Sequence, residues 1–389
     1  MKILHLDHTS CVSGAEISLL DFLGKLDKQK YSSLLVCPPE GPLVEKAQDI
    51  ETKVQTVNLP NLTFSANPLR LLLAPLEIAY AAYRLKSIIA DHDIDLVHAN
   101  SIRAAILGTA AAGLAGVPVI WHVRDFLPHN LRGKIIRRLS GIRAERIVAI
   151  SQAIKDDFAV LPSQKEKTLV IYDGIDLDRY NPSLAAAVKS KTELGLTSAF
   201  PIVGIFGQII DWKGQKEFIE AAGRIAKSLP EARFLVVGEA LFRKDRTVPY
   251  KRELFDLAAR LGIAEKVVFT GFREDIPDLM AACDILVLAS WEEPLGMVQL
   301  EAMALEKTVI ATDSGGAKEV VKNGITGMLV PPQDPEAIAL SVLELIDNKE
   351  QLRKMGREGR KQIEQNFNLE LHAQKVEQLY EEIAACRKA

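Results

Sequence analysis

Two glutamates separated by a turn with the pattern Pro-x-Gly, Glu293 and Glu301, are the residues of this chain best suited to chemistry. The stretch Asp284–Ala289 before them is almost wholly apolar, as in a strand buried on both faces, and good helix formers follow Gly296. In such a strand–turn–helix unit the helix N-terminus binds anions, and Glu301 leans back toward it. An anion site flanked by two carboxylates suits a sugar nucleotide. An ordinary turn of a parallel sheet with two solvent-facing glutamates has the same pattern.

The composition is that of an ordinary globular chain of 389 residues, long enough for two or three domains of roughly 150 residues. Apolar strand-like runs alternate with helical stretches, including a long one at Pro68–Asp91, which predicts α/β domains with parallel sheets. The net charge of −3 gives no reason to expect a nucleic-acid partner, and the four cysteines lack the spacing of metal ligands. No run reaches the ~18 apolar residues of a membrane span, and Met1–Asp7 is typical of a first strand rather than a signal peptide. We therefore expect a cytoplasmic protein.

The motif Glu293-x7-Glu301 with its Pro-x-Gly resembles the signature of the retaining glycosyltransferases of family 4. Three further motifs follow the order of that family: Lys213-Gly214, Gly315-Gly316 and Asn323-Gly324-x-x-Gly327. The resemblance spans nearly the whole chain and implies the GT-B architecture, with two Rossmann-like, doubly wound parallel-sheet domains that face an interdomain cleft. It implies an acceptor domain over residues 1–180, a donor domain over 195–370, and a last helix, about 371–389, that packs back on the first domain. The polar stretch from Asp176 to about Phe200 is expected to connect the domains.

The resemblance also implies roles on the donor side. Glu293 would hold sugar hydroxyls and stabilise the positive anomeric centre, whereas Glu301 would bind the ribose hydroxyls. The helix N-terminus at Gly296 and the Lys213 ammonium would stabilise the departing diphosphate, so neither a metal nor another cofactor is expected. The expected donor-binding residues are Gly14, Gln208, Lys213, Gly214, Arg273, Leu295, Gly296, Met297, Val298 and Glu301.

Three positions depart from the family pattern. The family usually has arginine where Gln208 stands, and the missing charge is expected to weaken diphosphate binding, because charge-assisted hydrogen bonds are roughly twice as strong as neutral ones. Ser13 replaces the first glycine of a Gly-Gly-Ala-Glu motif and leaves Gly14 to keep the backbone close to the donor. Asp173 replaces asparagine in an Asn-Gly-Ile-Asp turn, and both residue types accept that turn geometry.

Side chains at the ends of other strands are expected to serve the reaction centre and the acceptor. His122 stands where the family has a histidine that contacts the donor sugar, so Glu293 and His122 form the expected catalytic pair. A supporting role for His122 stays open. His98, Arg124 and Ser151 are expected on the acceptor side, although a hydrogen-bonded structural histidine fits His98 equally well.

The segment from Leu131 to Arg146 carries six basic residues and one acidic residue in a chain that is slightly acidic overall. On a helix, four apolar residues share one face that arginines flank: Leu131, Ile135, Leu139 and Ile142. A surface helix that packs this face against the domain core accounts for the pattern. The alternative is peripheral attachment to an anionic membrane, to which each basic group contributes about 1 kcal/mol.

The expected function is transfer of a sugar, with retention, from a UDP- or GDP-sugar to a glycan, lipid-linked or small-molecule acceptor. Such a reaction belongs to glycan, polysaccharide or glycolipid synthesis, at the inner face of the cell membrane if the basic segment attaches there. A sugar-nucleotide epimerase or a phosphorylase can have the same fold. Gln208 and Ser13 favour a catalytically weak binding subunit, whereas Glu293, Glu301, Lys213 and His122 argue against it. No Gly-x-Gly-x-x-Gly opens either domain, which argues against a nicotinamide dehydrogenase.

Overall fold

The computed structural model describes residues 1–60, 68–240 and 244–388, and their side chains except at 68–74, 244, 245 and 388. The chain divides into two compact units. The N-terminal domain comprises Met1–Gly174 and Leu369–Ala389, and the C-terminal domain comprises Ile175–Asn368. The N-terminal domain therefore ends before the expected residue 180, and the last helix begins at Leu369 rather than near residue 371.

The sheet of the N-terminal domain has seven strands. They are β1 (Lys2–Leu6), β2 (Ser32–Cys37), β3 (Lys53–Thr56), β4 (Leu96–Ala99), β5 (Val119–Val123), β6 (Arg146–Ala149) and β7 (Thr168–Val170). Neighbouring strands run parallel in the order β3-β2-β1-β4-β5-β6-β7. The sequence predicts a longer third strand, Val54–Leu59, but β3 ends at Thr56 because its partner β2 ends at Cys37.

Helices cover both faces of this sheet. They are α1 (Gly14–Lys25), α2 (Pro42–Asp49), α3 (Pro68–Asp91), α4 (Ile102–Ala115), α5 (Leu131–Arg143), α6 (Gln152–Phe158), α7 (Pro162–Lys165) and, at the end of the chain, α16 (Leu369–Lys388). The bounds of α3 are those that its alanine- and leucine-rich sequence predicts.

One face of the N-terminal sheet packs against α1 and α16. Ile3 of β1, Leu96 of β4 and Ile120 of β5 belong to a core cluster that also contains five apolar or aromatic residues of α16. Side chains of a strand alternate between its two faces, so the residue two positions after each of these points the same way. Those residues are His5, His98 and His122. The sheet therefore aligns three histidines beneath its covering helices.

The sheet of the C-terminal domain has six strands. They are β8 (Ile202–Phe206), β9 (Arg233–Val237), β10 (Val267–Gly271), β11 (Ile285–Leu288), β12 (Thr308–Thr312) and β13 (Gly327–Val330). They are parallel in the order β10-β9-β8-β11-β12-β13. The helices are α8 (Ala187–Glu193), α9 (Gln215–Ser228), α10 (Lys244–Arg260), α11 (Ile276–Ala282), α12 (Met297–Ala304), α13 (Ala317–Val320), α14 (Pro335–Asp347) and α15 (Lys349–Asn366).

The stretch expected to connect the domains is part of the C-terminal domain instead. It contains α8, and the Ala186 N–H just before α8 donates to the Asp278 carboxylate of α11 at 2.7 Å. The polar composition of this stretch reflects a surface helix rather than a linker. Among the helices of the described residues, none has the length and apolar character to cross a membrane.

Candidate active site

Glu293 lies in the loop after β11, and Lys213 lies in the loop after the neighbouring strand β8. The strand order turns back between β8 and β11, and parallel sheets bind ligands outside the carboxyl ends of strands at such a point. The Lys213 Nζ and the Ser290 Oγ both donate to Glu293 Oε2 at 2.7 Å. Glu293 is 5% exposed, and the described residues supply no donor to its Oε1. A cation and a hydroxyl thus fix a buried carboxylate, and one of its oxygens is left for a ligand.

Glycines allow the surrounding loops to approach Glu293. At Gly214, where φ is +75°, a Cβ atom would lie 2.0 Å from the Ala289 carbonyl oxygen, so only glycine lets the loop after β8 contact the end of β11. A Cβ atom at Gly315 would lie 2.2 Å from the Glu293 carbonyl oxygen. The Gly316 N–H donates to that same oxygen at 2.7 Å. The Lys-Gly and Gly-Gly motifs therefore position the Glu293 loop.

The same loop leads into α12 through Gly296, whose φ of +90° lies in the left-handed region. A Cβ atom there would lie 2.8 Å from Nε2 of the buried Gln299, which donates to the Leu295 carbonyl at 2.5 Å. Met297–Val298 form the half-buried first turn of α12, and Glu301 follows on the second turn. The predicted strand–turn–helix unit is confirmed, with the helix N-terminus at the carboxyl edge of the sheet.

Of the expected donor-binding residues, Arg273 has side-chain partners within the protein. The Arg273 guanidinium bonds both oxygens of Asp275 at 2.7 Å and the Glu193 carboxylate at 2.7 Å. The hydrogen bonds that Arg273 donates to these carboxylates raise its pKa, with Asp275 the larger cause. Arg273 therefore ties its loop to α8, and its place among the donor-binding residues stays a prediction. Gln208 is half-buried, and its backbone carbonyl accepts a hydrogen bond from the Gln215 side chain at 2.8 Å.

In the N-terminal domain, His122 and His98 form a hydrogen-bonded pair. The His98 Nε2 lies 3.2 Å from His122 Nδ1, and the His98 Nδ1 lies 2.5 Å from the Tyr380 hydroxyl of α16. Because α16 covers His98 and both of its ring nitrogens are hydrogen-bonded, the geometry fits the structural alternative, and contact with an acceptor stays a prediction. The Nε2 atom of His122 is also buried, and it has no hydrogen-bond partner among the described residues. For a ligand to contact that atom, the groups that cover it have to move.

Burial keeps the histidines of this cluster neutral. It is the largest cause that lowers the pKa of His98 and His122 well below the ordinary value, and the Arg124 cation lowers both further. Burial lowers the pKa of His5 to about 3. It also lowers the pKa of His372, whose Nδ1 lies 2.8 Å from the Tyr172 carbonyl oxygen.

The other expected acceptor-side residues also stabilise the N-terminal domain. Arg124 forms a buried ion pair with Asp173 at 2.6 Å, and Ser18 donates to the same carboxylate at 2.8 Å. Asp173, which stands where the family has asparagine, thus supplies the charge that the buried arginine needs. Ser151 is fully buried and caps α6 by accepting the Ile154 N–H at 3.1 Å. These partners account for the burial of Arg124 and Ser151, and contact of either residue with an acceptor stays a prediction.

The Ser13 departure is compatible with the loop that opens α1. Ser13 is the N-cap of α1 with a φ of −133°, an extended conformation open to any residue. Its N–H and hydroxyl donate to the Glu16 carboxylate at 2.9 and 2.5 Å. Burial, followed by the neighbouring Asp7, raises the pKa of Glu16. Gly14 begins the helix and is exposed, so its backbone stays available for the expected donor contact.

The apolar stripe of α5 faces solvent rather than the core. Leu131, Ile135 and Ile142 are 73%, 59% and 65% exposed, and Leu139, the fourth residue of the stripe, is half-buried. The expectation that this stripe packs inside the domain is wrong, because the buried face of α5 is a different one that includes two glycines. At Gly133 a Cβ atom would lie 1.9 Å from the Pro128 carbonyl oxygen, so that face packs closely against backbone.

One arginine of this segment is structural. Arg137 is 2% exposed and donates to the Asp157 carboxylate at 3.0 Å and to the Leu127 carbonyl at 2.9 Å. It therefore adds no charge to the surface of α5. Lys134, Arg138 and Arg143 are exposed and flank the apolar stripe.

Comparison with known proteins identifies the family. Residues 189–362 match the family described as Glycosyl transferases group 1, and residues 12–179 match Glycosyltransferase Family 4. GDP-mannose-dependent alpha-(1-6)-phosphatidylinositol monomannoside mannosyltransferase of Mycolicibacterium smegmatis is 30% identical over 72% of this chain and 74% of its own. The chain belongs to the group 1 and family 4 glycosyltransferases.

Other similar proteins align with this chain over almost its whole length. UDP-Gal:alpha-D-GlcNAc-diphosphoundecaprenol alpha-1,3-galactosyltransferase of Escherichia coli is 25% identical over 98% of this chain and 96% of its own. The crystal structure of Anabaena Alr3699/HepE in complex with UDP and glucose has a TM-score of 0.84 and 29% identity over 98% of this chain and 99% of that chain. The GT-B fold class expected from the sequence is confirmed.

The sequence patterns assign no role to Ser290 or Tyr380, although both contact predicted site residues of the glycosyltransferase. Ser290 stands directly after the apolar strand and three residues before Glu293, and that position is the signal that points to it. No local signal points to Tyr380, which is 282 positions from His98.

Proposed function

We propose that this glycosyltransferase transfers a sugar, with retention of the anomeric configuration, from a nucleoside-diphosphate sugar to an acceptor hydroxyl. The observation that carries the proposal is the group formed by Lys213, Glu293 and Ser290. A fixed carboxylate with one available oxygen is suited to bind sugar hydroxyls and to stabilise the positive anomeric centre of the transition state. A binding subunit without activity has no need of such an arrangement.

The remaining roles are proposed from the same positions. Glu301 binds the ribose hydroxyls, and His122 contacts the donor sugar. The N-terminus of α12 and Lys213 stabilise the departing diphosphate, because both offer positive charge at the carboxyl edge of the sheet. With these charges supplied by the protein, the proposal requires no metal ion.

Uridine and guanosine diphosphate sugars are the proposed donor classes. The structures of HepE contain UDP, glucose or UDP-glucose, and the mycobacterial relative depends on GDP-mannose by its name. Thermal shifts with UDP, GDP, ADP and the matching monophosphates test this proposal. UDP or GDP at 100 times its dissociation constant is expected to stabilise the enzyme by about 2.7 kcal/mol, with a smaller effect of its monophosphate. A panel in which no nucleoside diphosphate raises the melting temperature contradicts the proposal.

A lipid-linked acceptor is proposed on two grounds. The names of the E. coli and mycobacterial relatives specify diphosphoundecaprenol and phosphatidylinositol acceptors. The exposed stripe of α5, flanked by exposed cations, has the pattern of a helix that lies in a membrane interface. Peripheral attachment through α5 to the anionic cytoplasmic leaflet would bring the enzyme to such an acceptor.

Gln208→Arg is expected to tighten binding of the nucleoside diphosphate about tenfold at low salt, because it adds a charge-assisted hydrogen bond near the diphosphate. Isothermal calorimetry measures this effect. Gln378→Arg, an equal charge change on α16, is the control and is expected to leave the affinity unchanged. Equal affinity of wild type and Gln208→Arg contradicts the expectation and points to another cation, such as Arg246. The further candidates Arg243 and the side chain of Lys244 lie outside the described residues.

Arg138→Glu is expected to weaken binding to anionic liposomes about 30-fold, since reversing one charge near the leaflet removes about 2 kcal/mol. Co-sedimentation with anionic and neutral liposomes at low and high salt measures the effect. Arg260→Glu, the same change at an exposed position of α10, is the control. Binding of the wild type that does not depend on lipid charge, or that survives Arg138→Glu, contradicts attachment through α5. The buried Arg137 is unsuitable for this test.

A further inference from the structure

Three side chains of the N-terminal domain form a buried hydrogen-bonded chain that ends at His122. The Tyr380 hydroxyl lies 2.5 Å from His98 Nδ1, and His98 Nε2 lies 3.2 Å from His122 Nδ1. All three side chains are at most 2% exposed, so water does not compete for these hydrogen bonds. The free end of the chain is His122 Nε2, which has no partner among the described residues.

The Tyr380 hydroxyl determines which atom donates in each hydrogen bond of the chain. Within the described part of the chain its hydrogen-bond partner is His98 Nδ1, so its O–H proton is satisfied only if Tyr380 donates. His98 Nδ1 then accepts, and the proton on His98 Nε2 is donated to His122 Nδ1. His122 consequently carries its own proton on Nε2. The reverse direction would leave a buried O–H proton without an acceptor.

The imidazoles of His98 and His122 are both neutral, so each has its single N–H proton on either Nδ1 or Nε2. Burial, the largest cause, and the Arg124 cation lower the pKa of His98 and of His122 well below the ordinary value. A neutral imidazole has one N–H donor and one acceptor nitrogen, and the hydrogen bond at one nitrogen decides the state of the other.

We propose that Tyr380 and His98 are positioning residues that hold His122 in the Nε2–H form, so that it offers a hydrogen-bond donor to an oxygen of the donor sugar. The contact between His122 and the sugar rests on the proposed function. The assignment of proton positions along the hydrogen-bonded chain Tyr380–His98–His122, called the relay below, does not. In the other tautomer, His122 Nε2 would present a lone pair and could not donate to that oxygen. The last helix of the chain thereby sets the tautomer of a residue on β5.

Tyr380→Phe removes the hydroxyl that begins the relay. In protein labelled with ¹⁵N-histidine, NMR is expected to find His98 and His122 of the wild type in the Nε2–H form. Tyr380→Phe is expected to shift part of the His122 population to the Nδ1–H form. With a donor that the wild type uses, kcat is expected to fall about tenfold, while KM for the donor changes less than about twofold.

Tyr31→Phe is the matched control for this experiment. Its ring packs against Tyr380 with centroids 5.6 Å apart, and its hydroxyl bonds the Glu377 carbonyl rather than a histidine. Tyr31→Phe is therefore expected to leave both tautomers and kcat unchanged. A shift of the His122 tautomer in this control equal to that in Tyr380→Phe would assign the effect to general loosening of the core and overturn the relay.

A rescue variant separates the relay from loss of structure. In the Tyr380→Phe background, His98→Gln offers an amide N–H near the position of the His98 Nε2–H, so it is expected to restore the Nε2–H form of His122 and most of kcat. A His122 tautomer unchanged by Tyr380→Phe overturns the relay, as does an Nδ1–H form in the wild type. A tautomer shift without any change in kcat supports the relay and overturns the contact of His122 with the sugar.

Discussion

Glu293→Gln is expected to lower glycosyl transfer about 100- to 1,000-fold, while the affinity for the free nucleoside diphosphate stays within about twofold. The loss follows because the amide keeps the shape of the side chain but removes the negative charge that stabilises the anomeric centre. The free diphosphate has no sugar, so its binding does not use the available Oε1 atom. Kinetics with donor and acceptor measure the first effect, and calorimetry with the diphosphate measures the second.

Two further variants define the role of Glu293. Glu301→Ala is expected to weaken diphosphate binding by about 1.5–3 kcal/mol, the loss for hydrogen bonds from ribose hydroxyls to a charged acceptor. Glu292→Gln changes the exposed neighbour of Glu293 and is the control, with transfer and binding expected to stay unchanged. Equal affinity losses in Glu293→Gln and Glu301→Ala contradict the division of roles between sugar and ribose.

Below about pH 6.5, the N-terminal domain is expected to lose stability steeply. The pKa values of His5, His98, His122 and His372 are lowered in the folded domain, with burial the largest cause for each. The unfolded chain therefore binds more protons than the folded chain once the pH falls below the ordinary histidine pKa of about 6.5, and its stability relative to the folded state increases. Each histidine whose folded pKa is far lower removes up to ~1.4 kcal/mol per pH unit in that range.

The combined effect approaches the whole stability of a typical domain, which is about 5–15 kcal/mol. Glu16 acts in the opposite direction, because burial raises its folded pKa and it contributes stability as the pH falls. Glu16 is one group against four histidines, so the free energy of unfolding still falls as the pH falls. Above about pH 7.5 the four histidines are almost wholly neutral in both states and contribute almost no slope.

Urea unfolding between about pH 7.5 and pH 5 measures this dependence. Replacing Trp212 and Trp291 by phenylalanine leaves Trp121, the third of three tryptophans, as a fluorescent reporter inside the N-terminal domain. His5→Leu removes one titrating group and is expected to reduce the slope by up to ~1.4 kcal/mol per pH unit. His92→Gln, at an exposed position, is the control and is expected to leave the slope unchanged. A stability that is constant from pH 7.5 to 5 contradicts the expectation.

Local sequence patterns predict much of the fold. The alternation of apolar runs and helical stretches predicts both parallel sheets, and the motif around Glu293 predicts a strand, a turn and a helix that the structure confirms. These predictions succeed because a strand buried on both faces requires apolar residues, and a turn with positive φ requires glycine. The strand order also brings Lys213 and Glu293 together, as expected for loops that follow neighbouring parallel strands.

The side-chain partners of the N-terminal domain could not be predicted in this way. The sequence places His98 at a strand end, but its burial depends on α16, whose Tyr380 is 282 positions away. For Arg124 the partner is Asp173, on a distant loop, and local charge does not tell a buried ion pair from a ligand contact. In α5, two glycines rather than the apolar stripe mark the buried face, since close contact with backbone there requires the absence of a Cβ atom.

The most direct test of retaining transfer at Glu293 is an NMR assay with UDP-glucose, UDP-galactose or GDP-mannose and an N-acetylglucosamine diphosphate lipid as acceptor. With the donor whose nucleotide binds, we expect the wild type to release the nucleoside diphosphate and form a glycoside with the anomeric configuration of the donor. Glu293→Gln is expected to bind the same nucleotide and form almost no product. An inverted product contradicts retention. Product formation by Glu293→Gln at the rate of the wild type contradicts the central role of this carboxylate.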